Sequence, residues 1–380
     1  MTRDEAVQKF RSGEAKEIFQ RAIQKSREEL VEKRDAFAQA LRDAFWKMME
    51  KAKEYPDFKV REIQFSYLQV HVMDGTYKWL VELHDEKGEF VSVDISESLD
   101  MKQFFETYEA YRPEVYQEAS KYVSTLTPAD CDSLMVENFR ELAPYFYFLG
   151  VYAFRGINED ARFQEIPIHK VFRILIGGRR EKAFLVFYKL EKPEEAADIK
   201  EKLNKEATEQ DYSNDDFSLF DFSDEKFEDN NLSMRNFPFT CFRRAIFDKI
   251  EMYGSKCLLS DWHEAKITNC FFDGSCFSGA DFSDAYFENV SLLGARFDVA
   301  SDMKDIPFNP TIIPVSFRNA TLKNVDFRGT FLAGCDFSGA KIGRINFAEA
   351  DMKDAKLPME YRDELELSEE QKKDIHWVKD

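Results

Sequence analysis

The chain has 380 residues and a formal net charge of −19, with 72 acidic against 53 basic side chains. That length allows two or three domains with cores of their own, and an acidic balance argues against direct nucleic-acid binding. No run of about 20 apolar residues occurs, so no membrane-spanning helix is expected.

The first residues, MTRDEAVQKFRSGEAKE, are charged and lack the apolar core of a signal peptide. A cytoplasmic protein is the expectation, and the six cysteines are then expected to be free. No Cys-x-x-Cys or Cys/His spacing points to a metal, and no cofactor is expected.

Residues 1–55 read as an N-terminal amphipathic helix region. Over 13–54, Ile23, Leu30, Phe37 and Ala44 recur every seven residues with Leu41 and Met48 beside them, giving one long helix or two closely joined ones. Pro56 ends it. Residues 56–190 read as an α+β domain. REIQFSYLQVHV (61–72) alternates as a strand, Asp74-Gly75 makes a turn, and YKWLVEL and EFVSVDI follow as strands around a turn at Lys87-Gly88. Helices are expected near 99–124 and 128–150. IHKVFRILIG and AFLVFYKL form a last hairpin whose tip carries Arg179, Arg180 and Lys182. The stretch 191–214, rich in Glu and Lys, is expected to be a helical linker.

From Phe217 to Leu357 an apolar residue returns every fifth position, and a small residue stands two places before it. No helix or simple strand has that period, so the segment is a repeat architecture. The large series includes Phe242, Phe247, Phe272, Phe277, Phe282, Phe287 and Phe297, then Phe317, Phe327, Phe337 and Phe347. These are expected to be the structural core. Seven glycines, among them Gly274 and Gly294, share the position two after the large residue, where a corner needs turn dihedrals. The intervening positions read as polar, a solvent face.

Stretches such as Cys276-Phe277-Ser278-Gly279-Ala280-Asp281-Phe282 resemble pentapeptide-repeat proteins, with Phe more frequent than Leu at the centre of the unit. The resemblance covers 215–358 and implies a right-handed quadrilateral β-helix of four units per coil. The twenty-six in-phase units then make six to seven coils, on the order of 30 Å at the spacing of paired strands. Between Val299 and Pro314 the motif fails, yet Phe297 and Phe317 stay in phase. This irregular segment, 299–314, reads as a degraded coil or an outward loop replacing three sides of one coil. Residues 359–380 read as a C-terminal capping helix, with Ser368 and Gln371 at capping-box spacing.

No catalytic constellation emerges. His71 and His84 flank the first hairpin, where they could face one another, and satisfied structural roles are expected for them. The leading reading is a non-catalytic protein-binding module or scaffold presenting a rigid solenoid surface to a protein partner. The candidate contacts are Ile306, Phe308, Asn309 and Ile312 in the irregular segment, with the basic spots Arg243, Arg244, Arg179 and Arg180. Resemblance to topoisomerase-protecting members supplies an alternative, gyrase protection by duplex mimicry, which needs an unbroken acidic stripe. An enzyme in the α+β region is a second alternative. A homodimer is a further option, since some members join through their C-terminal ends.

Overall fold

A computed structural model describes residues 2–86, 95–123, 125–181, 183–190, 217–218, 220–297 and 314–379. The chain divides into two units, Met1–Leu190 and Glu191–Asp380.

In the first unit three helices lead: α1 (Arg3–Ser12), α2 (Glu14–Glu32) and α3 (Arg34–Ala52). The expected helix over 13–54 is therefore two, broken at Lys33, and they belong to the same unit as the sheet. Strands β1 (Val60–Tyr67), β2 (Lys78–His84), β3 (Ile95–Asp100), β4 (Ile168–Gly178) and β5 (Ala183–Leu190) form one sheet in the order β3-β2-β1-β4-β5. Only β1 and β4 run parallel. The crossover between them holds α5 (Glu106–Glu109), α6 (Arg112–Ala119), α7 (Pro128–Phe139) and α8 (Ala143–Phe154). Parallel strands need such a long connection.

Alternation puts Ile63, Phe65, Tyr67, Trp79, Val81, Phe172 and Ile174 into the core. Phe37 and Phe45 of α3 meet Trp79 and Phe172 at ring distances of 5.8 and 6.4 Å, and Phe146 of α8 meets Trp79 at 5.2 Å. Each such ring is worth roughly 1.5–3 kcal/mol of burial.

Several expected boundaries move. The strand expected over 61–72 stops at Tyr67, and Gln69–Met73 is a short helix, α4. The partner strand explains this: pairing with β2 ends at Tyr67↔Trp79, and Tyr77 N–H then closes onto His71 O at 2.8 Å. The turn expected at Lys87-Gly88 and most of EFVSVDI fall outside the described residues. The third strand there is Ile95–Asp100, overlapping the start of the helix expected at 99. The helix expected at 128–150 is two, because Pro144 opens the first turn of α8. The linker expected at 191–214 lies outside the described residues.

The second unit is a β-solenoid. Residues pair in parallel with those twenty further on: Phe227 with Phe247, Phe247 with Ile267, and Ile267 with Phe287. Five-residue units in a twenty-residue register give four units per coil. The strands that extend furthest lie in one stack, β6 (Lys226–Asn231), β7 (Ile246–Glu251), β8 (Lys266–Thr268), β9 (Tyr286–Ser291), β10 (Thr321–Asp326), and β11 (Lys341–Ile342) with β12 (Ile345–Asn346). The eleven core phenylalanines named above are all buried. The small residues two places earlier, such as Ala265, Ser275 and Ala280, are buried too. Two places after the large residue the backbone is left-handed, at Gly274 (φ 63°) as at Asn289 (φ 56°).

The irregular segment proves to be neither a degraded coil nor a replacement for three sides. Phe297 N–H bonds to Phe331 O, and Asp281 pairs with Ser316, so the register jumps from twenty to thirty-five across the gap. Phe317 is thus the next unit after Phe297 within the same coil. Fifteen residues, three repeat lengths, are additional to a complete coil, which is why the phase survives. Residues 298–313 themselves lie outside the described residues.

At the far end, β13 (Lys356–Pro358) pairs in parallel with β14 (His376–Val378). Between them lies α9 (Glu369–Asp374), opened by the Ser368–Gln371 capping box. Gln371 Nε2 donates to Phe347 O and Ala350 O at 2.8 and 2.9 Å, while Ile375, Leu365 and Trp377 pack on the core. The last coil is covered by these residues, as an edge of unpaired strands requires.

Candidate functional site

The outward positions of the solenoid decide what it offers. One outward column runs Asp221, Cys241, Asp261, Asp281, Ser316, Asp336, Lys356 on successive coils. Its acids are occupied locally: Asp221, Asp281 and Asp336 each accept the backbone N–H two residues on, from Ser223, Ser283 and Ser338 at 3.0 Å. Arg243 pairs with Asp261 at 3.0 Å and Arg318 with Asp336 at 3.5 Å. The acidic stripe that duplex mimicry needs is therefore broken: Arg243 on the second coil and Arg318 on the fifth neutralise the acids of the third and sixth, and Lys356 stands in the column on the seventh.

The sequence-predicted basic spots are placed as follows. Arg243 is largely buried against Asp261, and Arg244 holds Asp224 at 2.7 and 2.8 Å. That hydrogen bond keeps the Asp224 carboxyl below its usual range. Arg179 and Arg180 are exposed at the β4–β5 tip, with Arg179 on Glu82 at 2.9 Å. The two basic pairs lie in different units. Ile306, Phe308, Asn309 and Ile312 lie outside the described residues.

His71 and His84 are not brought together. His71 Nδ1 sits 2.9 Å from Thr76 Oγ1, before the start of β2, and His84 ends that strand opposite Glu62. Two polar networks tie the helices to the sheet. Tyr77 OH donates to Glu109, which takes the Arg112 guanidinium; Arg112 also holds Asp132, which accepts from Tyr116 OH. Burial and the Asp132 bond push Tyr116 up to about 12. In the second network, Tyr67 OH, Gln69 and Arg140 converge on Glu181. Each donor meets an acceptor within these networks. Among the described residues no group of three or more metal-ligating side chains occurs, and among them no helix is long and apolar enough to cross a membrane.

One feature of the outward surface is not polar. Tyr253 (61% exposed), Phe271 (57%), Met234 (48%), Leu293 (44%) and Phe331 (39%) are large apolar side chains facing solvent. The first four are outward positions of one stack of units, that of Leu232, Met252, Phe272, Leu292, Phe327 and Phe347. Phe331 is at the adjoining edge, under the Arg296 guanidinium at 4.8 Å. Down the same stack run Gly254, Gly274, Gly294 and Gly329, all with left-handed φ. The Tyr253 ring lies over Gly274, 3.6 Å from where a Cβ would stand, and nothing lies within 4 Å of such an atom at Gly294 or Gly329. Reading the intervening positions collectively as polar hid this strip. Tabulating them stack by stack finds it, because a bulky apolar residue at an outward position is conspicuous.

Residues 316–357 match the family model of pentapeptide repeats, in eight copies. The second unit is a pentapeptide-repeat solenoid. No curated protein matches the chain. Among solved structures, the pentapeptide-repeat protein Rfr23 from Cyanothece 51142 is 14% identical, covering 35% of this chain and 89% of its own, with a TM-score of 0.21. HetL, involved in heterocyst differentiation regulation in Nostoc sp. strain PCC 7120, is 16% identical over 36% of this chain and 84% of its own, with a TM-score of 0.18. Full-length QnrB1, a plasmid-mediated fluoroquinolone resistance protein, is 13% identical over 38% of this chain and 77% of its own, with a TM-score of 0.18.

Proposed function

We propose that this chain is a non-catalytic binding protein whose solenoid, right-handed and four-sided, presents a fixed surface to a protein partner. The observation that carries this is the apolar strip of Met234, Tyr253, Phe271, Leu293 and Phe331. Its exposed apolar area is on the order of 500 Å², at the upper end of what a soluble monomer shows without a binding role. The scaffold beneath is rigid, because every coil is hydrogen-bonded to the next. The broken acidic column favours the strip over duplex mimicry as the contact surface. A cytoplasmic location accords with six free cysteines. The α+β unit, whose polar networks are internally satisfied, is read as a second scaffold.

A photocrosslinking residue in place of Tyr253 tests this in cells, with the same residue at Lys341, on a different stack, as control. A protein adduct at the Tyr253 position alone is expected. Equal labelling at both positions, or none at Tyr253, removes the strip as a binding surface.

A further inference from the structure

We infer that the stack of Phe237, Cys257, Phe277 and Phe297 carries an internal docking face, occupied by the chain's own insertion, residues 298–313. This stack adjoins the apolar strip, and the inference does not need the strip to bind a partner.

Outward positions of this stack are buried where a ladder alone leaves them open. Leu258 follows Cys257 as Leu293 follows Leu292, the same residue type at the same place in the unit. Yet Leu293 is 44% exposed and Leu258 only 7%. Neighbouring coils do not account for the difference. Along its stack Leu258 stands between Pro238 and Ser278, whereas Leu293 stands between the longer Asp273 and Arg328. One place further on, Leu259 is buried and its counterpart Met234 is exposed. Ser278 and Gly279, on the next coil, are buried as well. Apolar side chains on an outward face lose their exposure only when other atoms lie over them.

The extent of the buried patch points to its cover. Burial is complete at Ser278 and nearly so at Leu258 and Leu259, one coil back. It becomes partial at Pro238 and Phe239. In the other direction Ala333 and Gly334 are partly exposed, and Lys353 and Asp354 fully so. The patch therefore abuts Phe297, which follows Phe277 in the stack and is the last unit before the insertion. The other long stretch outside the described residues, 191–216, joins the stack at Phe217, on the side where burial fades. The insertion carries Val299, Ile306, Phe308, Ile312 and Ile313, apolar residues that match an apolar face. Its Asp302 and Asp305 complement Lys256 and Arg296, the cations of this stack. Sixteen residues reach at most about 55 Å, enough to run back over two coils, roughly 10 Å, and return to Phe317.

The surface is thereby divided. The apolar residues of the insertion are satisfied within the chain, and the neighbouring stack keeps the open strip. Ordering the insertion costs conformational entropy that offsets what covering the leucines returns, so the cover is read in exposure rather than in stability.

Thiol reactivity tests this in the full chain. Leu258→Cys and Leu293→Cys are alkylated with a water-soluble maleimide, and each introduced residue is followed by peptide mass spectrometry, apart from the six native thiols. Leu258→Cys is expected to react about tenfold or more slowly than Leu293→Cys, since reactivity follows access. Deleting 300–314 should bring the Leu258→Cys rate to within about twofold of Leu293→Cys, whose own rate stays unchanged. Should the deletion alter the circular dichroism spectrum, Ile306→Asp, Phe308→Asp and Ile312→Asp together in the intact chain take its place, with the same unmasking expected. Equal rates in the parent chain overturn the inference. So does protection of Leu258→Cys that survives both changes, which would assign the face to another part of the chain.

Discussion

Phe282 stacks on Phe317, thirty-five residues away, with ring centroids 5.1 Å apart and planes within 9°. Elsewhere in the same ladder the step is twenty: Phe222 on Phe242 at 5.6 Å, and Phe317 on Phe337 at 4.7 Å. The solenoid therefore carries a fifteen-residue addition that its core does not register. Deleting 300–314 restores five-residue spacing between Phe297 and Phe317 and places Val315 two positions before the large residue. The shortened chain should fold, with unfolding free energy changed by less than about 2 kcal/mol, the scale of loop-closure entropy. Loss of cooperative unfolding in a thermal melt would show that the segment is part of the ladder.

The aromatic ladder itself sets a second expectation. Phe317 contacts rings on both sides along the stack and Phe297 and Phe327 across it. Phe317→Ala removes a fully enclosed ring and should cost about 3–5 kcal/mol. Phe217, at the start of the described solenoid, stacks on Phe237 at 5.4 Å, its one ring neighbour along the ladder among the described residues. Because solenoid coils are stabilised by their neighbours, Phe217→Ala should cost roughly half as much or less. Urea unfolding of the two variants distinguishes them; equal losses would contradict a nearest-neighbour solenoid.

The solenoid was legible because its code is chemical and strict. Large and small inward residues alternate at fixed offsets, and little else satisfies a period of five. The register jump was not, since an insertion of three repeat lengths leaves the phase of Phe297 and Phe317 untouched. Only strand pairing reveals which coil receives Phe317. In the first unit, the sequence IQFSYLQVHV alternates beyond the point where β2 can pair, so the strand looked longer than it is. The third strand was expected over EFVSVDI, which ends at Ile95 where β3 begins; ISESLD itself gives little strand signal, because at this sheet edge only Ile95 of the six residues is buried. The candidate site was least legible. Tyr253, Phe271 and Leu293 matter by their shared stack, and a stack is a property of the folded register.

A polar ladder runs along the corner next to the longest strands. Asn269 donates to Asp248 at 2.8 Å, Asn289 to Asn269 at 3.1 Å and Asn324 to Asn289 at 2.9 Å. All three asparagines have φ near 55°. Asparagine tolerates this region better than alanine, and the side-chain chain satisfies successive coils. Asn289→Ala loses two hydrogen bonds and keeps the strain, so it should destabilise by about 2 kcal/mol. Asn289→Gly relieves the strain and should recover about 1 kcal/mol of that loss. Chemical denaturation of both variants checks the order; alanine equal to glycine would mean the corner is unstrained.

Stability should fall on the alkaline side. Burial pushes the Cys131 thiol up to about 11, with Asp132 and Asp130 adding to it, and pushes Cys270 up to about 12. Burial and then the Asp132 hydrogen bond do the same for Tyr116, to about 12. In each case the folded chain keeps a proton that the unfolded chain gives up earlier. The contribution is whole below the unfolded values of 9.0 for thiols and 10.0 for tyrosine, and it is lost as pH rises through 11 to 12. Urea unfolding between pH 7 and pH 12 should therefore show these groups costing nothing until about pH 9 and progressively more above it. Cys270→Ala removes one titrating thiol and should flatten the fall above pH 9 while leaving the slope below it unchanged. A Cys270→Ala curve parallel to that of the parent chain across the whole range would show that this thiol is not held protonated by the fold.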